Sequence, residues 1–268
     1  GMACDRGVLA KRLREVGYYR LSAYWFPYKV PSGEGGAVFR EGTDFSHVWR
    51  TYQFDRELRL VMFDAVSRIE VFARSQIAHL ASKRAGIFSY PPEEVTRLRH
   101  EYKLARRNEA FMKHFADAYG DAHELPPYWM MVEVVPMGTL ESLYSHLEPS
   151  VRSEIAASFG VKVPVLKNWL SVIRVARNAC CHHSRVWNRV WGVRPMIPRE
   201  WDDFDADAGK TFAVLTVLNY MLGRIDAGNG WRADVENLLS DYQDIPSSEV
   251  GFPENWGSLE AWGGPRLD

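Results

Sequence analysis

Apolar positions recur along most of this chain at spacings of three and four, the pattern of helices that bury one face. The clearest case lies between about 46 and 84. There Leu58, Met62, Ala65, Ile69 and Phe72 form one stripe, and Asp64, Arg68, Glu70 and Arg74 occupy the opposite side. Asp44 or Ser46 is placed to cap this helix. A short amphipathic helix is expected over 6–16, followed by "GYYRLSAYWFPYK", an aromatic run that reads as packed. After the break at "SYPPEE" a second long helix is expected from about 93 to 119. "YWMMVEVVPMGTLESLYSHL" reads as two shorter helical pieces broken near Pro136 and Gly138. "RSEIAASFGV" comes next, then a central helix that starts near Pro164 and is expected to end by Gly192. Helices near 209–226 and 231–242 follow, and the last 25 residues are expected to drape over the surface. The one strand signal is a Gly-rich connection over 30–45, read as a small hairpin. The fold class expected is all-α, with 1–268 as a single helical domain.

Composition narrows the function classes. With 46% apolar residues and 25% charge the chain is a globular protein that can bury a core. A net charge of −1 provides no global field for nucleic acid or an anionic membrane, so polyanion binding needs a local basic patch. No run of 18 apolar residues marks a membrane span, and "GMACDRGVLAKR" lacks the apolar core of a secretory leader. The three cysteines are odd in number, and neighbouring Cys180 and Cys181 do not readily bridge on a helix. A reducing cytoplasm is the expected compartment, with no membrane partner.

The densest chemistry lies in "RVARNACCHHSRVWNR", Arg174 to Arg189. Leu166, Trp169, Ile173, Ala176, Cys180, His183 and Trp187 are spaced as a seam facing the core, which reads His183 as a packed histidine. Arg174, Asn178, His182, Arg185 and Arg189 form a second stripe, about 170° round an ideal helix. Solvated faces usually look like this. Here, however, a compact Asn and a His interrupt the arginines, and both suit short hydrogen bonds. His182 is therefore the candidate.

Other readings of the segment are weaker. Consecutive Cys180, Cys181, His182 and His183 point in different directions, so one metal reaches two of them at most; neither metal nor cofactor is expected. Cys181 has Arg177 and Arg185 four residues away on either side, but no third group completes a cysteine nucleophile. In "RLRHEYKLARR" the cations Arg97, Arg99, Lys103, Arg106 and Arg107 cluster around Tyr102, which fits phosphate contacts, although a solvated helix face is the commoner meaning of such a run. Tyr18, Tyr19, Tyr24, Trp25 and Tyr28 read as core rather than as base-stacking rings.

"RNACCH", Arg177 to His182, matches the R-x-x-x-x-H signature of HEPN ribonucleases. Together with "GYYRLSAYWFPY", "YQFDRELRLVMFDAVSRIEVFARSQIA", "PPYWMMVEVVPMGTLESLY", "NWLSVIRVARNACCHHSRVWNR" and "GFPENW", it resembles the Abi-like abortive-infection family of bacterial proteins over about 7–257. The resemblance implies an all-α, HEPN-like helical bundle with core about 46–192 and further helices and tail over 193–268. It also implies action in phage defence or as a toxin-like endoribonuclease, with RNA as partner and a possible antitoxin or regulatory partner. Arg177 and His182 become the catalytic pair, with Asn178 beside them and Arg174 and Arg185 in support. Glu70 fits the supporting carboxylate of that family, with Arg74 one turn on; an ordinary helix ion pair fits those two equally well. One histidine does not easily supply two proton transfers, and Arg177 and His182 lie about 140° apart on an ideal helix. The resemblance therefore implies a homodimer whose motif helices meet. A module of HEPN type that binds RNA or protein without catalysis is the alternative.

Overall fold

The computed structural model describes residues 1–32 and 36–263. Those residues form eleven α-helices and one short antiparallel hairpin. Helices α1 (Arg6–Val16) and α2 (Tyr18–Trp25) lead into β1 (Lys29–Pro31), which pairs with β2 (Ala37–Phe39). The hairpin falls within the Gly-rich connection; residues 33–35 of that connection, and 264–268 at the tail, lie outside the described residues.

Helix α3 (Phe45–Ala85) is the axis of the molecule, about 60 Å long at 1.5 Å per residue. Asp44 caps it by accepting the Ser46 amide at 2.6 Å, and Gly86 at φ 107° stops it. Leu58, Met62, Ala65 and Ile69 are buried as their spacing requires, with Phe72 half-buried. Around α3 pack α2, α6 (Tyr128–Val134), α8 (Pro149–Ser158), α9 (Val163–Cys181), α10 (Thr211–Ile225) and α11 (Trp231–Asp241). Helix α10 is buried on every side from Phe212 to Leu218, which suits a stretch that is apolar apart from Thr216, whose hydroxyl donates to Phe212 O at 2.9 Å. Helix α7 (Met137–His146) follows the Pro136 break and packs on α9. No helix among the described residues is long and apolar enough to cross a membrane.

Three expectations need correction. The helix expected over 93–119 is two: α4 (Pro92–Asn108) and α5 (Ala110–Tyr119), with Glu109 extended between them. The break lets α5 fold back, so that Phe115 meets Tyr102 edge-on at 6.3 Å. The central helix ends at Cys181, not near Gly192. The tail does not drape either: Trp262 is fully buried, donates its Nε1–H to Thr216 at 2.9 Å and stacks against Phe212 and Trp231. A loop segment without periodicity still docks when one large ring finds a fitted slot.

Candidate functional site

The motif sits at the C-terminal end of α9, and the way that helix ends determines the site. The His183 amide bonds back to Cys180 O at 3.1 Å, and the Ser184 amide to Ala179 O at 2.8 Å. This is the double bond pattern of a Schellman ending, with His183 in the left-handed position at φ 54°. Glycine normally takes that place; a side chain there costs roughly 1–2 kcal/mol. Long-range bonds offset the cost. Arg20 donates to His183 O, Arg59 to Ser184 O at 3.3 Å, and Arg185 to Ala23 O. Fully buried Asp55 accepts the amides of Val186 and Trp187 at 2.8 and 2.6 Å, and also the Tyr24 hydroxyl and the Arg59 guanidinium. Burial, and then the Asp55 charge, push the Tyr24 hydroxyl far above the usual phenol range, so it serves as a donor.

The predicted stripe beyond residue 181 is therefore not helical, and its members have different roles. His183 is not a packed core histidine: the left-handed turn carries its side chain off the seam, and it is exposed. His182 caps α9, its amide bonded to Asn178 O at 2.9 Å, and its imidazole is exposed. Among the described residues neither that ring nor the Asn178 side chain makes a hydrogen bond or ion pair. Arg177 is 42% exposed and holds only a loose contact to Glu70, Nε to Oε2 at 3.8 Å.

The other arginines are committed to structure. Arg174 is bonded to Glu141 of α7 at 2.7 Å. Arg185 is tied to Ala23 O, and Arg189 lies over the Trp191 ring at 4.5 Å. Glu70 and Arg74 form the half-buried pair expected of i,i+4 spacing, and Arg74 also donates to Val132 O and Val135 O at the end of α6. Arg74 thus staples α6 to α3, while Glu70 has a second oxygen turned toward Arg177. The structure thereby brings Glu70 and Arg177 together, with Asn178 next to Arg177 in α9 and His182 at the end of that helix.

On α4 all five cations are exposed, but Arg97 and Arg99 are paired with Glu94 and Glu124. Lys103, Arg106 and Arg107 form no ion pair among the described residues. Tyr102 is buried between α4 and α5, so it offers no ring to a base. In the aromatic block Tyr24 and Trp25 are core, as read, whereas Tyr18 and Tyr19 are exposed.

The two neighbouring cysteines differ sharply. Burial pushes the Cys180 thiol up to about 12, and Cys181 is exposed. Iodoacetamide at neutral pH should label Cys4 and Cys181 in the folded protein and spare Cys180 until denaturant is added. Peptide mass mapping reads this directly; equal labelling of Cys180 in the native protein would contradict the packing of α9. Among the described residues no group of three or more His, Cys, Asp or Glu is arranged to hold a metal ion.

The sequence did not single out Asp55 and Arg59, which shape the site, and it marked Tyr24 only as core. Asp55 and Arg59 are spaced as an ordinary helix ion pair. The available signal was their position on the buried side of α3, next to Leu58 and Met62.

The family model of the Abi-like proteins matches residues 11–188, from α1 through the loop that Asp55 holds. This chain belongs to the Abi-like protein family. Membership associates it with abortive infection and phage defence. No curated protein and no solved structure matches it. The Abi-like match stops at 188, so the buried tail with Trp262 lies outside it.

Proposed function

We propose that this Abi-like protein is a metal-independent endoribonuclease of the phage-defence or toxin type, with Arg177 and His182 as its catalytic pair and Asn178 beside them. One observation carries the reading. Of the cations in the motif segment, Arg177 is left partly exposed and loosely held, one turn before an exposed, unbonded imidazole, while Arg174, Arg185 and Arg189 are committed elsewhere.

The chemistry follows from those two groups. A base takes the proton from a ribose 2′-OH; its oxygen attacks the adjacent phosphorus, and the P–O5′ bond breaks as the leaving oxygen gains a proton. Imidazole serves as base or acid near neutral pH. The guanidinium offers a planar fork to the charge that builds on the phosphate oxygens, and Glu70 steadies that guanidinium from behind. Because each chain brings one such imidazole, the reading pairs two copies so that one His182 takes the proton and the other gives it.

Sugar chemistry tests this. A ribo-oligonucleotide incubated with the protein and EDTA should yield fragments ending in 2′,3′-cyclic phosphate, seen by mass spectrometry. The same oligonucleotide with a single 2′-deoxy sugar should resist at that position alone. Cleavage at the deoxy position would eliminate 2′-OH attack, and an inert wild type would favour a module of HEPN type that only binds.

A further inference from the structure

Beside the motif lies a cleft of about 500 Å³ that the mechanism above does not use. Its walls come from four parts of the chain: Glu15 from α1, Arg20 from α2, Tyr52, Arg56 and Phe63 from α3, and His183 from the end of α9. The volume falls in the range of small-ligand sites, roughly 300–1,000 Å³.

Its charge is one-sided once the pairs are removed. Arg59 at the floor is neutralised by Asp55, and Glu15 at the rim is paired with Arg12 at 2.7 Å. Arg56 is exposed and makes no hydrogen bond or ion pair among the described residues. Arg20 bonds the carbonyl of His183, which leaves its positive charge uncompensated. The cleft therefore offers two cations with free donors. It also offers an aromatic ring without a ring partner: Phe63 is 41% exposed, with the exposed side chain of Leu60 beside it in the lining. Tyr52, by contrast, is already packed on Tyr24 and Trp49. Guanidinium forks suit phosphate, and an unpaired ring at 41% exposure suits a base face.

The loop that forms the inner wall is held at unusual expense. Asp55, Arg59 and Arg20 all fix residues 183–187, and they do so with His183 in a conformation that side chains rarely adopt. The result is an exposed imidazole on the wall of a cationic cleft rather than in the core.

We propose that this cleft is a subsite for one nucleotide of the RNA strand, its phosphate on Arg56 and Arg20 and its base against Phe63. The assignment rests on the ribonuclease reading for the strand, while the shared chemistry is that of any nucleoside monophosphate. Isothermal titration of the full chain with AMP, CMP, GMP and UMP should show binding. Uncharged nucleosides and inorganic phosphate should bind at least about tenfold more weakly. Arg56→Glu should weaken nucleotide binding at least about tenfold, and Phe63→Ala several-fold, with both variants folded because both side chains are on the surface. Lys83→Glu, the matched charge reversal at a surface cation about 40 Å further along α3, should change nothing. A ribotrinucleotide should displace the mononucleotide.

Wild type that binds no nucleotide, or an Arg56→Glu variant that binds normally, overturns the proposal. Phosphate binding as well as AMP removes the base from it. Failure of the trinucleotide to compete overturns the strand assignment in favour of a free nucleotide. Parallel RNA digestion separates the two readings: cleavage without mononucleotide binding refutes the cleft alone, and nucleotide binding without cleavage refutes the nuclease alone.

Discussion

Replacing Asp55 by Ala should destabilise the protein by about 3–5 kcal/mol, with a fall in Tm on the order of 10 °C. The carboxylate is fully buried and accepts from four donors: the amides of Val186 and Trp187, the Tyr24 hydroxyl and the Arg59 guanidinium. Its removal leaves Arg59 charged and nearly buried without its counter-ion, and it leaves two amides of the loop unsatisfied. Urea unfolding followed by circular dichroism measures the loss. The double variant Asp55→Ala/Arg59→Met should lose less than the sum of the single changes, because the second substitution removes the stranded charge. Strict additivity, or a loss below about 1 kcal/mol, would mean that this network does not hold the loop.

His182→Ala should have the opposite profile: an intact fold and little activity. The ring is exposed and unbonded among the described residues, so its loss should move stability by less than about 0.5 kcal/mol. A positioned acid or base contributes about 10²–10⁴ in rate, and cleavage of a labelled oligonucleotide should fall by that factor. Arg177→Ala should lose on the order of 10²–10³ through the phosphate oxygens, and the double variant should fall little further than the worse single one, because the two groups act on one transition state. Asp55→Ala should also lose activity below its melting point, since His182 immediately precedes the loop that Asp55 fixes.

How much of this was legible in the sequence depends on where the decisive contacts lie. Helix α3 was readable because its determinants are local: Asp44 at one end, Gly86 at the other and an unbroken stripe between. Helix α9 was readable at its start, where Pro164 sits in the first turn, and unreadable at its end. A reader of sequence looks for glycine at the left-handed stop, and here the residue is His183. What makes that stop affordable is Arg20, Arg59 and Asp55, more than 120 residues earlier in the chain. The seam that placed His183 in the core assumed a helix that had already ended. Trp187 is buried nonetheless, but as part of the loop. The Glu109 break was hidden for a related reason. Met112 and Phe115 continue the periodicity of Leu98, Tyr102 and Ala105, yet they reach the core by folding back.

The candidate site was legible as a motif and not as a surface. Spacing alone could not say which arginines were already bonded to Glu141, Ala23 O or Trp191 and which one stayed available. Nor could it show that the two adjacent histidines part company. His182 stays at the helix end, and His183 turns into the cleft beside Arg20 and Arg56.

The most direct measurement is digestion of total RNA by purified wild type and His182→Ala, side by side in excess EDTA. The account predicts progressive cleavage by the wild type and none by the variant over the same period. Equal cleavage by the two proteins would contradict it.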